Sequence, residues 1–212
     1  MATTTTNYGF DIPQSTDLVK DGATAIATLC QDIDTAMNTA LGTKKAGMVL
    51  LNTTSFSAVA SASFPAATFT STYDNYQIVY KIFSADGLTN LFMRFRVGGA
   101  DNTTANYASI IARDFNTSRG GFTPTFGATS FAISNGTPSA TIGAVGDLLI
   151  SSPFLSEFKS IRGRQGMSES SVSGVTWDCG GGFNASTSFD SLSLFTGSGN
   201  FSGFMSAYGF SK

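Results

Sequence analysis

The chain contains no histidine. That removes Ser-His-Asp and Cys-His nucleophile systems, His-bearing zinc sites and the commonest general base. Charge is scarce as well: 12% of the 212 residues are charged, about half the usual fraction. The net charge is −2 and no stretch concentrates Lys and Arg, so the phosphate neutralisation that nucleic-acid binding requires has no basis here. No run of about 18 apolar residues occurs, so no membrane insertion is expected. The N-terminus lacks a basic region followed by an apolar core, and a cleaved secretory signal is not expected either. There are only two cysteines, Cys30 and Cys179, in segments of unlike character. A single pair is neither a disulfide framework nor a metal site, and both are read as free thiols.

Other chemistry is thin. Asp114, Asp147, Glu157, Glu169, Asp178 and Asp190 form the pool for a two-carboxylate glycosidase, but no spacing picks out a pair. Gly180-Gly181-Gly182 is followed by neither Lys-Ser/Thr nor a helix, so it reads as a turn or bulge rather than a phosphate loop. Lys159, Arg162 and Arg164 read as a solvated strand edge, with pairing to a sugar acid or phosphate as the alternative. No catalytic residue, metal ligand or cofactor is assigned, no ligand-binding residue is singled out, and the chain reads as non-enzymatic.

What is abundant is material for β-structure. Hydrophobic residues reach 42%, and 19 Phe against one Trp point to a core built by ring packing. Ser and Thr together outnumber charged residues about two to one, giving a neutral, hydroxyl-rich surface. In Tyr76 to Phe83, Ile78, Tyr80 and Ile82 fall on one face; in Leu91 to Val97, Leu91, Met93, Phe95 and Val97 do the same. Asp86-Gly87 between them suits a tight turn, so the two strands are expected to pair as a hairpin under a covering second sheet. Met48 to Asn52 reads as an edge strand and Tyr107 to Arg113 as another strand. Further strands are expected within 147–154, 157–163 and 172–179, and a terminal hairpin within 189–210. The stretch 114–141, rich in Gly, Asn, Ser and Thr and holding Pro124 and Pro138, reads as long exposed loops. Strands this short and this regularly spaced predict an all-β fold, a jelly-roll-like antiparallel β-sandwich over 48–212.

Before it come an extended N-terminal arm over 1–15, a helix over 16–41 and a linker over 42–47. In the arm Tyr8, Phe10 and Ile12 alternate, suited to docking on a neighbouring subunit or another protein, with a frayed terminus as the alternative. In the helix Val19, Ile26, Ile33 and Ala40 recur every seven residues, with Gly22, Leu29 and Ala36 between them. An isolated helix with such a seam is marginal in water, so it must pack, either on copies of itself or on its own β-domain.

Several segments resemble virion proteins of tailed bacteriophages, including tail fibres and other appendages. They are the Leu192 to Phe210 pattern with its Gly-Ser-Gly-Asn-Phe turn, the Tyr73 to Val79 and Leu91 to Gly99 pair followed by Ala105-Asn106-Tyr107, and the N-terminal Asn7-Tyr8-Gly9-Phe10, Pro13 and Asp32-Ile33-Asp34. The resemblance leaves roughly 114–190 unmatched. It implies a structural protein assembled in the host cytoplasm as a homo-oligomer, often a trimer, and located in the virion. The N-terminus would be fixed to other virion proteins, and the sandwich would point outwards, with host surface polysaccharide as a further partner. Attachment or oligomerisation would then fall to Tyr8, Phe10, Ile12, Val19, Ile26, Leu29, Ile33 and Ala36. A capsid decoration or cement protein, or a head fibre, is the alternative; a polysaccharide depolymerase is disfavoured by the missing chemistry.

Overall fold

A computed structural model describes residues 3–6, 9–12, 19–41, 47–86, 90–115, 118–136, 143–170 and 173–210. The chain divides into two compact units, Met1–Gly47 and Met48–Lys212. The first holds two short paired strands, β1 (Thr3–Thr4) and β2 (Asp11–Ile12), and one helix, α1 (Val19–Leu41).

The second unit is all-β. In chain order it runs β3 (Met48–Val59), β4 (Ser61–Ser63), β5 (Asn75–Ala85), β6 (Leu91–Val97), β7 (Ala100–Asp101), β8 (Tyr107–Phe115), β9 (Ser118–Ala128), β10 (Phe131–Ser134), β11 (Ala144–Ser151), β12 (Lys159–Ser170), β13 (Ser173–Phe183), β14 (Ser191–Thr196) and β15 (Phe201–Phe210). Among the described residues every pairing is antiparallel. One sheet contains the neighbours β3-β15-β5-β11 and the other β4-β14-β6-β10, with β7 on β6. These eight strands are a jelly roll: the chain passes back and forth between two sheets, and the last strands insert between the first. Two hairpins are added. β8–β9 and β12–β13 extend the larger sheet to the order β3-β15-β5-β11-β12-β13-β8-β9.

The expected hairpin of β5 with β6 is not formed. β5 pairs with β11 and β15, and β6 with β10 and β14, in opposite sheets. The reason is burial. Ile78, Tyr80 and Ile82 on β5, and Leu91, Met93 and Phe95 on β6, are all fully buried. In one sheet both apolar faces would need a third element to cover them, whereas from opposite sheets they cover each other. The expected terminal hairpin is likewise a crossing, since β14 lies in the smaller sheet and β15 in the larger. These two crossings interlock: Asp86 N–H donates to Asn200 O and Asn200 N–H to the Asp86 carboxylate, each at 2.9 Å. Gly199 sits there at φ +72°, and a Cβ would lie 2.8 Å from Asp86 Cβ, so glycine is required.

Two further expectations are corrected. The stretch read as loops contains β9 and β10; Pro124 is tolerated because β9 is an edge strand, and all four residues of β10 are buried. Gly180-Gly181-Gly182 is the continuation of β13 rather than a turn, paired on both sides with β12 and β8. A Cβ on Gly181 would lie 2.1 Å from Ala108 O, and one on Gly182 2.0 Å from Lys159 O. Glycine there lets three strands approach more closely than side chains permit.

Rings dominate the core as expected. Phe95 stacks on Phe189 at 4.6 Å between centroids, and Phe183 meets Phe189 at 5.0 Å and Tyr107 at 4.8 Å edge-on. The buried hydroxyls are partnered: Tyr107 OH accepts from Phe95 N–H and donates to Asn102 O, and Tyr80 OH donates to Gln165 Oε1. Burial pushes the Tyr107 and Tyr80 phenols up, Tyr80 strongly.

Candidate attachment and oligomerisation surface

The N-terminal unit is built from a helix that the period of its apolar residues selects, with Asp21 in its first turn where a carboxylate suits the helix dipole. Across the arm, Thr5 N–H donates to Phe10 O at 2.9 Å, Gly9 N–H to Thr5 O at 3.0 Å, and Phe10 N–H to Thr5 Oγ1 at 2.9 Å. The arm is therefore extended only locally and turns back on itself. A hollow of about 300 Å³ lies between Gly9 and Phe10 of the arm and Asp32, Thr35 and Ala36 of the helix.

This arrangement divides the expected seam. Gly22, Ala25, Leu29, Asp32 and Ala36 are half-buried on one side of α1. Ile26 (58% exposed), Cys30, Ile33 (38%) and Met37 (54%) are bare on another. Their i, i+4, i+7, i+11 spacing makes a straight apolar stripe. Ile26 and Ile33 thus lie together as expected, whereas Leu29 and Ala36 do not share their stripe, because the arm turns back toward that side. Phe10 is half-buried and Ile12 is 39% exposed. Tyr8 and the side chains of Val19 and Ala40 lie outside the described residues. Sequence reasoning passed over Cys30 and Met37; counting four on from Ile26 and from Ile33 would have found them.

Of the groups weighed for chemistry, some hold the fold together, and Asp147, Asp178, Arg162 and Arg164 line one hollow of the larger sheet. Asp190 accepts from Gly98 N–H at 2.8 Å and from Ser191 Oγ at 2.9 Å. Asp178 pairs with Arg164 at 2.7 Å. The Lys159, Arg162 and Arg164 cluster does not hold together. Lys159 is buried, its Nζ donating to Leu155 O at 2.6 Å and to Glu157 O, and burial lowers its pKa against the opposing pull of Glu157. Arg162 and Arg164 are exposed. The Cys179 thiol is buried and pushed up to about 12, by burial first and then by Asp147 and Asp178, which makes it inert, while Cys30 is exposed. Among the described residues no group of three or more His, Cys, Asp or Glu is placed to hold a metal ion, and no helix is long and apolar enough to cross a membrane. No family model matches this chain, and no curated protein matches it in sequence.

Proposed function

We propose that this chain is a structural protein of a bacteriophage virion, a tail fibre or similar appendage. Its N-terminal unit self-associates, three helices around a common axis, and holds on to the particle, while the jelly roll is presented to the surroundings. The observation that carries this reading is the bare stripe Ile26, Cys30, Ile33 and Met37 on a helix whose other side is half-covered. Burying a large aliphatic side chain stabilises by roughly 1.5–3 kcal/mol relative to exposure, so such a stripe gains most from a second and third copy of itself. The jelly roll and the sequence segments that resemble phage appendages support the same reading.

A capsid cement protein is the second reading, favoured by one observation. Met48, Leu50, Val79 and Val145 are exposed on the outer face of the larger sheet, a surface suited to clamping neighbours. Labelling the C-terminal Lys212 and imaging intact particles separates the two. Label at the tail is the expected result; label spread over the head supports cementing, and no label on particles contradicts both.

A further inference from the structure

The outer face of the larger sheet is not flat. A hollow of about 540 Å³ is lined by Gln77, Asp147, Arg162, Arg164, Asp178 and Phe210, and a second of about 340 Å³ by Ala108, Ile110, Ala112, Phe126 and Gly180. Asp178 belongs to both. The register explains the depression. Arg162 on β12 stands opposite Gly180 on β13, which stands opposite Ile110 on β8, so a position without a side chain separates two long ones. Next to that row Arg164 and Asp178 are followed by the short Ala112. A Cβ on Gly180 would meet nothing within 4 Å. The two hollows meet at Asp178 and, taken together as one trough, reach from Phe210 on β15 to Phe126 on β9, six inter-strand spacings or roughly 29 Å.

From this geometry we infer that the trough is a binding site for an extended, uncharged glycan. The inference rests on the virion reading for its biological setting and on the trough for its chemistry. Each sugar hydroxyl both donates and accepts. Asp147 and Asp178 offer acceptors, and Arg162 and Gln77 offer donors. Among the described residues, no hydrogen bond or ion pair engages the Arg162 guanidinium or the Asp147 carboxylate, so both are available to a ligand. Phe126, 75% exposed on the edge strand β9, offers a ring on which the apolar face of a sugar stacks, and Phe210 offers another at the far end.

The two arginines and two aspartates cancel, which disfavours an acidic polysaccharide: its carboxylates would gain at Arg162 and lose at Asp147 and Asp178. A peptide strand is disfavoured too. Such strands add to sheet edges, and here the floor is a sheet face whose backbone groups are already used in the ladders.

The test is retention of the full-length protein on immobilised dextran, mannan and galactan, with polygalacturonate as the acidic comparison. Two variants accompany it. Gly180→Leu fills the centre of the trough at a position where the added side chain meets open space. Arg162→Ala removes an exposed donor that holds nothing else. The expected result is retention on at least one neutral polysaccharide, weakened about tenfold or more by Gly180→Leu. Should that variant lose its β-sheet circular dichroism, Arg162→Ala decides in its place. No retention on any neutral polysaccharide, retention on polygalacturonate alone, or retention that the deciding variant leaves unchanged overturns the inference. Particle imaging keeps the two ideas apart: protein located on virions that binds no neutral glycan overturns the trough alone, and glycan-binding protein absent from virions overturns the virion role alone.

Discussion

The two units treat their apolar side chains in opposite ways. In Met48–Lys212 the two sheets face each other and bury Tyr76, Ile78, Tyr80, Leu91, Met93 and Phe95 completely. In Met1–Gly47 no described side chain is buried, and Ile26, Ile33 and Met37 stand exposed on a 23-residue helix. A sandwich closes its own core because it has two layers; a helix with a short hairpin has too little surface to do so. The sandwich thus carries a core of its own, whereas under the proposed self-association the helix would gain its stability from copies of itself.

The comparison breaks most visibly at the sandwich core. Phe95→Ala removes the ring that meets Phe189, Tyr107 and Phe183, and should cost about 3–5 kcal/mol in urea unfolding followed by circular dichroism. A loss below about 1 kcal/mol would mean that the core is not where the rings place it.

The triple glycine sharpens the same point at smaller scale. Gly182→Ala drives a Cβ into Lys159 O and should cost about 1–3 kcal/mol. Gly180→Ala points into open space and should stay within about 0.5 kcal/mol. Equal effects at both positions would contradict the strand pairing of β13.

Burial of ionisable groups also belongs to the sandwich. The Cys179 thiol, ordinarily near 9, is held at about 12 in the folded chain. Between those values the unfolded state has released a proton that the folded state keeps, so stability present below pH 9 is lost as pH rises, by up to about tenfold in the folding equilibrium per pH unit. Tyr80 and Tyr107, also raised, act in the same direction, and the lowered Lys159 offsets part of the loss. Urea midpoints from pH 8 to 11 should fall, and less steeply in Cys179→Ala. A flat profile would contradict the burial of Cys179.

The smallest effect is kinetic and is read in the Ile26→Ser/Ile33→Ser/Met37→Ser variant, where no second copy covers the stripe. There an aromatic disulfide reagent should modify Cys30 promptly and Cys179 at least about a hundredfold more slowly, because Cys179 reacts only when the sandwich opens. Two equally fast thiols would erase the distinction between the units.

Much of this was legible in the residues. The alternation in β5 and β6 identified the buried faces except at Val97, which lies exposed at the end of β6, and the seven-residue recurrence identified α1. The partners of those strands were not legible. Asp86-Gly87 and the Gly-Ser-Gly-Asn stretch are turn-formers, and a turn leads as readily across to a second sheet as back along the same one; the decision is made by which arrangement buries both apolar faces. β9 and β10 were hidden because Ser, Thr, Gly and Pro124 mask the alternation that Phe131 and Ile133 carry. In the triple glycine the governing contact is with Ala108 and Lys159, far away in sequence. Which side of α1 stays bare was not legible for the same reason: the fold of the arm determines it.

The central claim is that the stripe on α1 carries self-association while the sandwich folds independently of it. Sedimentation of the intact protein beside the Ile26→Ser/Ile33→Ser/Met37→Ser variant tests this most directly. The account predicts a homo-oligomer, a trimer in the arrangement proposed, that the triple substitution reduces to a monomer with unchanged β-sheet circular dichroism. An intact protein that sediments as a monomer, or a variant that stays fully assembled, would contradict it.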